Sequence, residues 1–194
     1  MAEIPRSQAK VINLGLFYGM GKAKLQAELG LSTKDEAEKL FDRYHSRVPF
    51  VKDLMNNTSR DASGSGYITT LLGRKCRFDK WEEAVYNPGV LISPMSHAEA
   101  EKKYGGESIR RAFTYKALNK LIQGSAADMT KRAMLDLYKE GIVPHIQVHD
   151  ELDISVESPE QAKKIIEIME KAVTLKIPNK VDHEEGNNWG EING

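Results

Sequence analysis

The chain has 194 residues, 40% hydrophobic and 29% charged, with 28 Lys+Arg against 28 Asp+Glu and one cysteine. This length and apolar content exclude wholesale disorder, collagen and a disulfide scaffold, and suit one domain or one domain with part of a second. Cys76 has no internal partner, no run approaches eighteen apolar residues, and the N-terminal MAEIPRSQAK lacks a leader's apolar stretch, so a soluble chain in a reducing, cytoplasmic compartment without membrane contact is expected.

Residues 5–29 read as a helix, a glycine-marked break near Gly19–Gly21 and a second helix. At about 100° per residue, Arg6, Lys10, Leu14 and Tyr18 drift across only about 120° of one face, while Ala9, Ile12 and Leu16 share another that would be buried. Ser32 or Thr33 caps the next helix, with Asp35 and Glu36 in its first turn and an end expected near Tyr44. Pro49 interrupts, and a further helical stretch is expected to about Ser59. Gly64-Ser65-Gly66 punctuates, and Tyr67–Leu72 reads as a strand ending at Gly73-Arg74-Lys75. From about 79 to 107 the pattern is irregular, around Pro88, Gly89, Pro94 and Gly105-Gly106, with a helical piece near His97–Tyr104.

Ser108 to about Gly141 is the longest helical pattern, carried by Ile109, Ala112, Phe113, Ala117, Leu121 and Ile122, with a bend allowed at Gly124-Ser125. Over 142–156 the period becomes two. Ile146 and Val148 alternate with His145, Gln147 and His149, and Leu152, Ile154 and Val156 alternate again, which predicts a tight hairpin turning on Asp150 and Glu151. A helix capped by Ser158 is expected over about Pro159–Val173, then a short strand near Asn179–Asp182. No internal repeat is present.

Several motif-like runs fail on chemistry. Gly15–Lys22 has five residues between Gly15 and Gly21 and Ala23 after the lysine, where a phosphate loop needs four and then Ser or Thr. His145 and His149 lie roughly 13 Å apart on a strand, too far for one zinc ion. Asn56 and Asn57 sit in glycosylation-like triplets that have no role in a cytosolic chain. No nucleophile elbow is present for a Ser-His-Asp hydrolase.

Three features survive. Arg6, Lys10, Leu14 and Tyr18 form a stripe outside the buried face, and exposed Lys and Arg can clamp a polyphosphate as a leaving group departs. A basic stretch carries Asn119 and Gln123, which can hydrogen-bond acceptors in a minor groove. Asp150 at a hairpin tip can hold a divalent cation. The zero net charge also hides a gradient. Ser108–Arg132 holds six basic residues (Arg110, Arg111, Lys116, Lys120, Lys131, Arg132) and one acid, Asp128, whereas Asp150–Gly194 holds eleven carboxylates and five lysines. A basic middle and an acidic end fit one surface that meets phosphates and another that carries metal or faces solvent. Solvated helix faces produce the same gradient, so charge alone does not choose.

At these residues the chain resembles the C-terminal part of a family A DNA polymerase, the DNA polymerase I-like group, and most its bacteriophage members. Arg6–Gly19 (RSQAKVINLGLFYG) matches the fingers helix, Gly66-Tyr67 through Gly73-Arg74 the strand leaving the fingers, and Asn119–Asp128 (NKLIQGSAAD) the helix along the primer–template. Gln147–Leu152 (QVHDEL) matches the palm hairpin and Gly186–Trp189 (GNNW) the usual end of the chain. Order and spacing hold over about residues 5–190.

The resemblance implies an α+β fold, with a helical fingers subdomain and the C-terminal half of an antiparallel-sheet palm. Residues 1–107 would be fingers, with the fingers helix at 5–20, a strand near 66–73 and an irregular loop at 79–107. Residues 108–194 would be the long primer–template helix and the palm, with its catalytic hairpin at 142–156. The implied reaction is attack of a primer 3′-OH on the α-phosphate of a dNTP, with two Mg²⁺ ions. Lys10 would act on the leaving pyrophosphate, Arg6 would support the γ-phosphate end, and Leu14 and Tyr18 would pack on the nascent base pair. Asn119, Gln123, His149 and Arg110 would contact the primer–template; Asp150, with Glu151, would ligate metal. One ion would be shared with an aspartate of an upstream palm strand that this chain does not contain. A partner chain carrying the remaining palm and thumb is therefore expected, alongside DNA and dNTPs. The alternative is a non-catalytic nucleic-acid-binding relic of a polymerase. The family usually has Phe or Tyr where Leu14 stands, and many relatives have Arg where Tyr115 stands.

Overall fold

The computed structural model describes residues 6–85 and 93–192. Pro5 and, within the irregular stretch 79–107, residues 86–92 lie outside the described residues. The chain divides into two compact units, Met1–Thr69 with Gly73–Ile122, and Thr70–Leu72 with Gln123–Gly194. Helices and two-stranded antiparallel pairs make up both, an α+β composition as expected.

In the first unit α1 (Arg6–Phe17) and α2 (Lys22–Leu29) flank a break at Gly19, whose φ of 84° suits a residue without Cβ. Ile12 and Leu16 bury against Leu25, ringed by Met20, Leu29, Leu40, Phe41 and Tyr44. Leu16 and Leu25 are fully buried, each worth about 1.5–3 kcal/mol of transfer free energy. Ala9 was expected on this face and is exposed. The cluster reaches back only to Ile12, leaving nothing for a methyl group nearly one turn earlier to touch.

Helix α3 (Lys34–Arg47) starts at a capping box: the Glu36 N–H donates to Thr33 Oγ1 at 3.3 Å and the Thr33 N–H to Glu36 Oε2 at 3.4 Å. It runs past Tyr44 because the break comes from Pro49, which pushes Val48 out of the helical region (φ −129°). Helix α4 (Pro49–Ser65), with Pro49 in its first turn, also outruns the expected end at Ser59. Its buried face continues through Thr58 and Ala62, and termination waits for Gly66 at φ 80°.

The strand expected over Tyr67–Leu72 is shorter and is half of a hairpin. β1 (Tyr67–Thr69) pairs antiparallel with β2 (Lys75–Arg77), in the register Ile68↔Cys76. Gly73, at φ 87°, serves the reversal. Ala62, Ile68, Phe78 and Ala117 form a second core cluster, with Cys76 and Leu121 against it. Helix α5 (His97–Tyr104) lies where expected, behind a Ser96–Glu99 capping box.

The helical pattern from Ser108 is interrupted. β3 (Trp81–Glu83) pairs with β4 (Ile109–Arg111), in the register Glu82↔Arg110. Ladder bonds to a strand far away in sequence override the helical spacing of Ile109, Ala112 and Phe113. Phe113 then takes φ 63°, a 3-10 turn follows at Thr114–Lys116, and only then does α6 (Ala117–Lys139) begin. α6 is one continuous helix through Gly124-Ser125.

In the second unit the end of α6 supplies Leu137, which packs with Ile142 and Ile165; Leu152, Ile154, Ile168 and Met169 complete that core. β5 (Ile146–Val148) and β6 (Glu151–Asp153) make the expected hairpin, paired Ile146↔Asp153, Gln147↔Leu152 and Val148↔Glu151. α7 (Pro159–Lys171) is capped by Ser158, whose hydroxyl accepts from the Gln161 N–H at 3.2 Å. No strand forms over Asn179–Asp182. There the Glu170 carboxylate accepts the Val181 N–H at 3.3 Å, so a side chain does the work of a ladder partner. A short α8 (Trp189–Ile192) is closed by Asn188 and Glu191.

Candidate functional site

Helix α1 presents the first group. Arg6, Lys10 and Leu14 follow at intervals of four and are all exposed, so they stack along one face. Leu14 keeps 44% of its surface in solvent, high for a leucine beside a packed cluster. Tyr18 falls just beyond the helix, half-buried. Its N–H still donates to Leu14 O at 2.9 Å, and its ring meets Phe17 edge-on at 5.5 Å. Among the described residues no carboxylate pairs with Arg6 or Lys10. Two cations one helical turn apart with no internal counter-charge suit an anionic ligand.

The second group sits on the β5–β6 hairpin. The two loop residues are His149 and Asp150; Glu151 is the first residue of β6, opposite Val148. This corrects the expected turn on two carboxylates. The reversal needs a positive φ at its first loop position, and His149 supplies it at 52°. The His149 carbonyl accepts from Gln147 Nε2 at 2.6 Å, which braces the turn. His149, Asp150 and Glu151 are all exposed. Neither the Asp150 nor the Glu151 side chain has a partner among the described residues. Two adjacent, unpaired, exposed carboxylates are hard oxygen donors of the kind Mg²⁺ takes, so these residues fit such an ion. No group of three or more His, Cys, Asp and Glu able to hold a metal occurs among the described residues. His145 is turned to Ser155, with Nε2 and Oγ 3.0 Å apart.

The third group is divided by the geometry. Asn119, half-buried, lies in the part of α6 belonging to the first unit, and exposed Gln123 in the part belonging to the second. Arg110 is on β4 rather than on the helix, and its guanidinium pairs with Glu82 at 2.9 Å. Arg111 donates to Phe78 O at 3.0 Å and Ser63 O at 3.2 Å, with its guanidinium 4.6 Å from the Trp81 ring. Arg132 pairs with Asp136 at 2.7 Å, and it and Lys139 hold the Asp136 carboxyl below the ordinary carboxylate range. Half of the basic run is thus spoken for internally, leaving Lys116, Lys120 and Lys131 as its outward charges.

Sequence reasoning passed over a supporting set. Thr70 and Asp128 are both buried, and the Thr70 hydroxyl donates to Asp128 Oδ2 at 2.5 Å. The Leu71 N–H donates to Ser125 Oγ at 2.9 Å. The signal available was Asp128 itself, the one acid in a basic run. An isolated carboxylate on a helix face is either a solvated charge or a buried, partnered one.

Comparison with known proteins follows the same residues. Residues 1–191 match the family model for DNA polymerase family A. A DNA-directed DNA polymerase of Pseudomonas phage M6 is 35% identical over 227 residues, covering 100% of this chain and 30% of that protein. DNA polymerase I of Bacillus caldotenax is 35% identical over 193 residues, covering 95% of this chain and 20% of that protein. Among solved structures, the POL domain of Pol1 from M. smegmatis in complex with DNA primer-template and dNTP superposes with a TM-score of 0.66 at 28% identity. That match covers 90% of this chain and 29% of the other. The chain thus spans between 20% and 30% of the length of these relatives. With the match running through both units and through all three groups of candidate residues, the chain belongs to DNA polymerase family A.

Proposed function

We propose that the chain is the fingers and C-terminal palm part of a DNA-directed DNA polymerase, adding dNTPs to a primer 3′-OH by two-metal phosphoryl transfer. The observation that carries this reading is the β5–β6 hairpin, which delivers Asp150 and Glu151, exposed and unpaired, at a tight turn. A plain DNA-binding surface gains nothing from two bare carboxylates, which repel phosphate.

Lys10 and Arg6 on α1 bind the dNTP phosphates, with Lys10 nearest the leaving pyrophosphate, where its ammonium offsets developing charge and can give up a proton. Leu14 and Tyr18 offer an aliphatic and an aromatic surface to the nascent base pair. Asn119 and Gln123 hydrogen-bond the primer–template in the minor groove, and His149 lies by the primer end. Arg110, held by Glu82, contributes less to DNA than its charge implied. Asp150 and Glu151 are the donors this chain offers to Mg²⁺, which when bound stabilises charge on the attacking and leaving oxygens. Two carboxylates are too few for a two-ion site, so an aspartate from another part of the polymerase shares an ion with Asp150.

Several apolar side chains support association with the remaining palm and thumb. Ile146 and Val148 on β5, at 44% and 38% exposure, and Leu135, Tyr138 and Val143 nearby in sequence, all face solvent in the second unit. Primer extension with Mg²⁺ and dNTPs tests the proposal, using this chain alone and mixed with a chain carrying the upstream palm and thumb. Extension that requires this chain supports it. Absence of extension when the two chains are folded and bound to one another would refute it and favour a DNA-binding relic.

A further inference from the structure

Helix α1 ends in a turn that shapes the surface beside it. The Met20 N–H donates to Gly15 O at 2.7 Å and the Gly19 N–H to Leu16 O at 3.1 Å, with Gly19 at φ 84°. These two bonds around a left-handed glycine make a Schellman motif, which satisfies carbonyls that the last helical turn leaves bare. In such a motif the residue after the glycine commonly packs on an apolar side chain five or six positions earlier. Here those positions are Gly15 and Leu14. Gly15 offers no side chain, and Met20 fills the space: a methyl group at Gly15 would overlap Met20 Cε and stand 3.2 Å from its Sδ. Met20 therefore lies over Gly15, half-buried beside the Ile12, Leu16 and Leu25 cluster, and Leu14 is left 44% exposed.

Tyr18 sits inside this turn, between the last residue of α1 and Gly19, with its N–H on Leu14 O at 2.9 Å. A second thioether braces the far side, since a methyl group at Gly19 would stand 2.9 Å from Sδ of Met55 on α4. Met20 over Gly15 and Met55 against Gly19 thus hold the backbone on both sides of Tyr18. The notch at Gly15 also decides what becomes of Leu14. With a side chain at residue 15, Met20 would have to swing away, and Leu14 is the neighbour left for it to cover.

We infer that Met20 is a positioning residue for the incoming nucleotide: seated over Gly15, it holds the end of α1 so that Leu14 stays clear and Tyr18 keeps one orientation. The role rests on the proposed function, which gives Leu14 and Tyr18 to the nascent base pair. Met20 acts through those two residues rather than on the substrate.

The test uses the polymerase completed with its upstream part, in single-turnover incorporation of matched and mismatched dNTPs, with a thermal melt of each variant. Gly15→Ala unseats Met20 by meeting the far end of a flexible side chain, and within a helix alanine is favoured over glycine. This variant should melt no lower than the wild type. It should nevertheless bind matched dNTP at least about tenfold more weakly, since a misplacement of about 1 Å can cost about a hundredfold, and discriminate less against mismatches. Met20→Ala should give the same kinetic pattern, and Met20→Leu, of similar volume, should recover most of the loss. Both single changes break one contact, so the double variant should lose no more than the worse single one. Wild-type dNTP affinity in Gly15→Ala and Met20→Ala, losses that multiply in the double variant, or losses that follow the melting temperature overturn the role of Met20 and leave the proposed function standing. No extension by the unsubstituted polymerase overturns the proposed function and this role with it.

Discussion

Replacing Thr70 by valine should lower the stability of the chain by about 2 kcal/mol while leaving its secondary structure intact. The two side chains have nearly the same shape, so the exchange removes a hydroxyl and little packing. That hydroxyl donates to Asp128 Oδ2 at 2.5 Å, and both residues are buried, Thr70 at 4% and Asp128 at 6% exposure. Leaving a buried acceptor without its donor costs about 1–3 kcal/mol. Asp128 has an interaction besides this one, which keeps the loss near the middle of that range. For a chain of this length, about 2 kcal/mol corresponds to roughly 4–8 °C in Tm. Urea unfolding followed by circular dichroism, with the slope checked for constancy, gives the number directly. Thr70→Ser restores the hydroxyl and should recover most of the loss. A change under about 0.5 kcal/mol, the usual range of a surface substitution, would refute the idea that Asp128 is a buried carboxylate held by Thr70. The bond also bears on function: with the Leu71 N–H on Ser125 Oγ, it pins residues 70–72 to the stretch of α6 that carries Gln123.

In the polymerase completed with its upstream part, Asp150→Ala should nearly abolish nucleotide incorporation while primer–template binding persists; incorporation at the wild-type rate would remove Asp150 from the metal site. Lys10→Ala should both slow incorporation and weaken dNTP binding in single-turnover kinetics, and unchanged values of both would take Lys10 out of the phosphate site. His45 should make the first unit acid-sensitive. Its Nδ1 is buried without a hydrogen-bond partner among the described residues, and its ring lies 4.4 Å from that of Phe41 and 5.3 Å from that of Tyr44. Burial, then the Lys52 charge, push it below the ordinary value of 6.5, against an opposing pull from Asp42. With the folded value depressed, the unfolded chain takes up the proton first. The stabilisation is therefore complete above pH 6.5 and lost as pH falls through the folded value. Urea midpoints compared between pH 7.5 and 5.5 should fall further for the wild type than for His45→Gln, and equal falls would show that His45 is not the group responsible.

What could be read from the string follows from where the physics is local. Thr33 and Ser158 announce their helices because a cap is a bond between residues three apart. The Arg6–Lys10–Leu14 face is visible because helical spacing brings those side chains together whatever the rest of the chain does. The β5–β6 hairpin shows through its alternation, but its turn was placed one residue late. The αL conformation falls on a histidine, where Asn or Gly would have marked it. Three-residue strands leave too little alternation to detect, so β2, β3 and β4 were missed, and Ile109–Phe113 passed for helix because their apolar spacing fits either structure. Ladder bonds between 81–83 and 109–111 decide the matter, and those bonds have no signature in either segment alone.

The same division runs through the candidate site. Its outward residues are legible because the proposed chemistry would dictate their type: cations to meet phosphate, carboxylates to meet a cation. The contacts that pin residues 70–72 to α6 have no such constraint on type. Thr70 and Asp128 are 58 positions apart and Leu71 and Ser125 are 54 apart, and each is unremarkable in its own segment. Many pairs of polar side chains could have served, so the choice is recorded only in the contact. A reading from pattern alone therefore finds exposed cations and carboxylates, and misses the buried contacts between distant segments. On the proposed function, substitutions at Thr70, Ser125 and Asp128 should accordingly slow incorporation through the position of Gln123, which single-turnover kinetics would read.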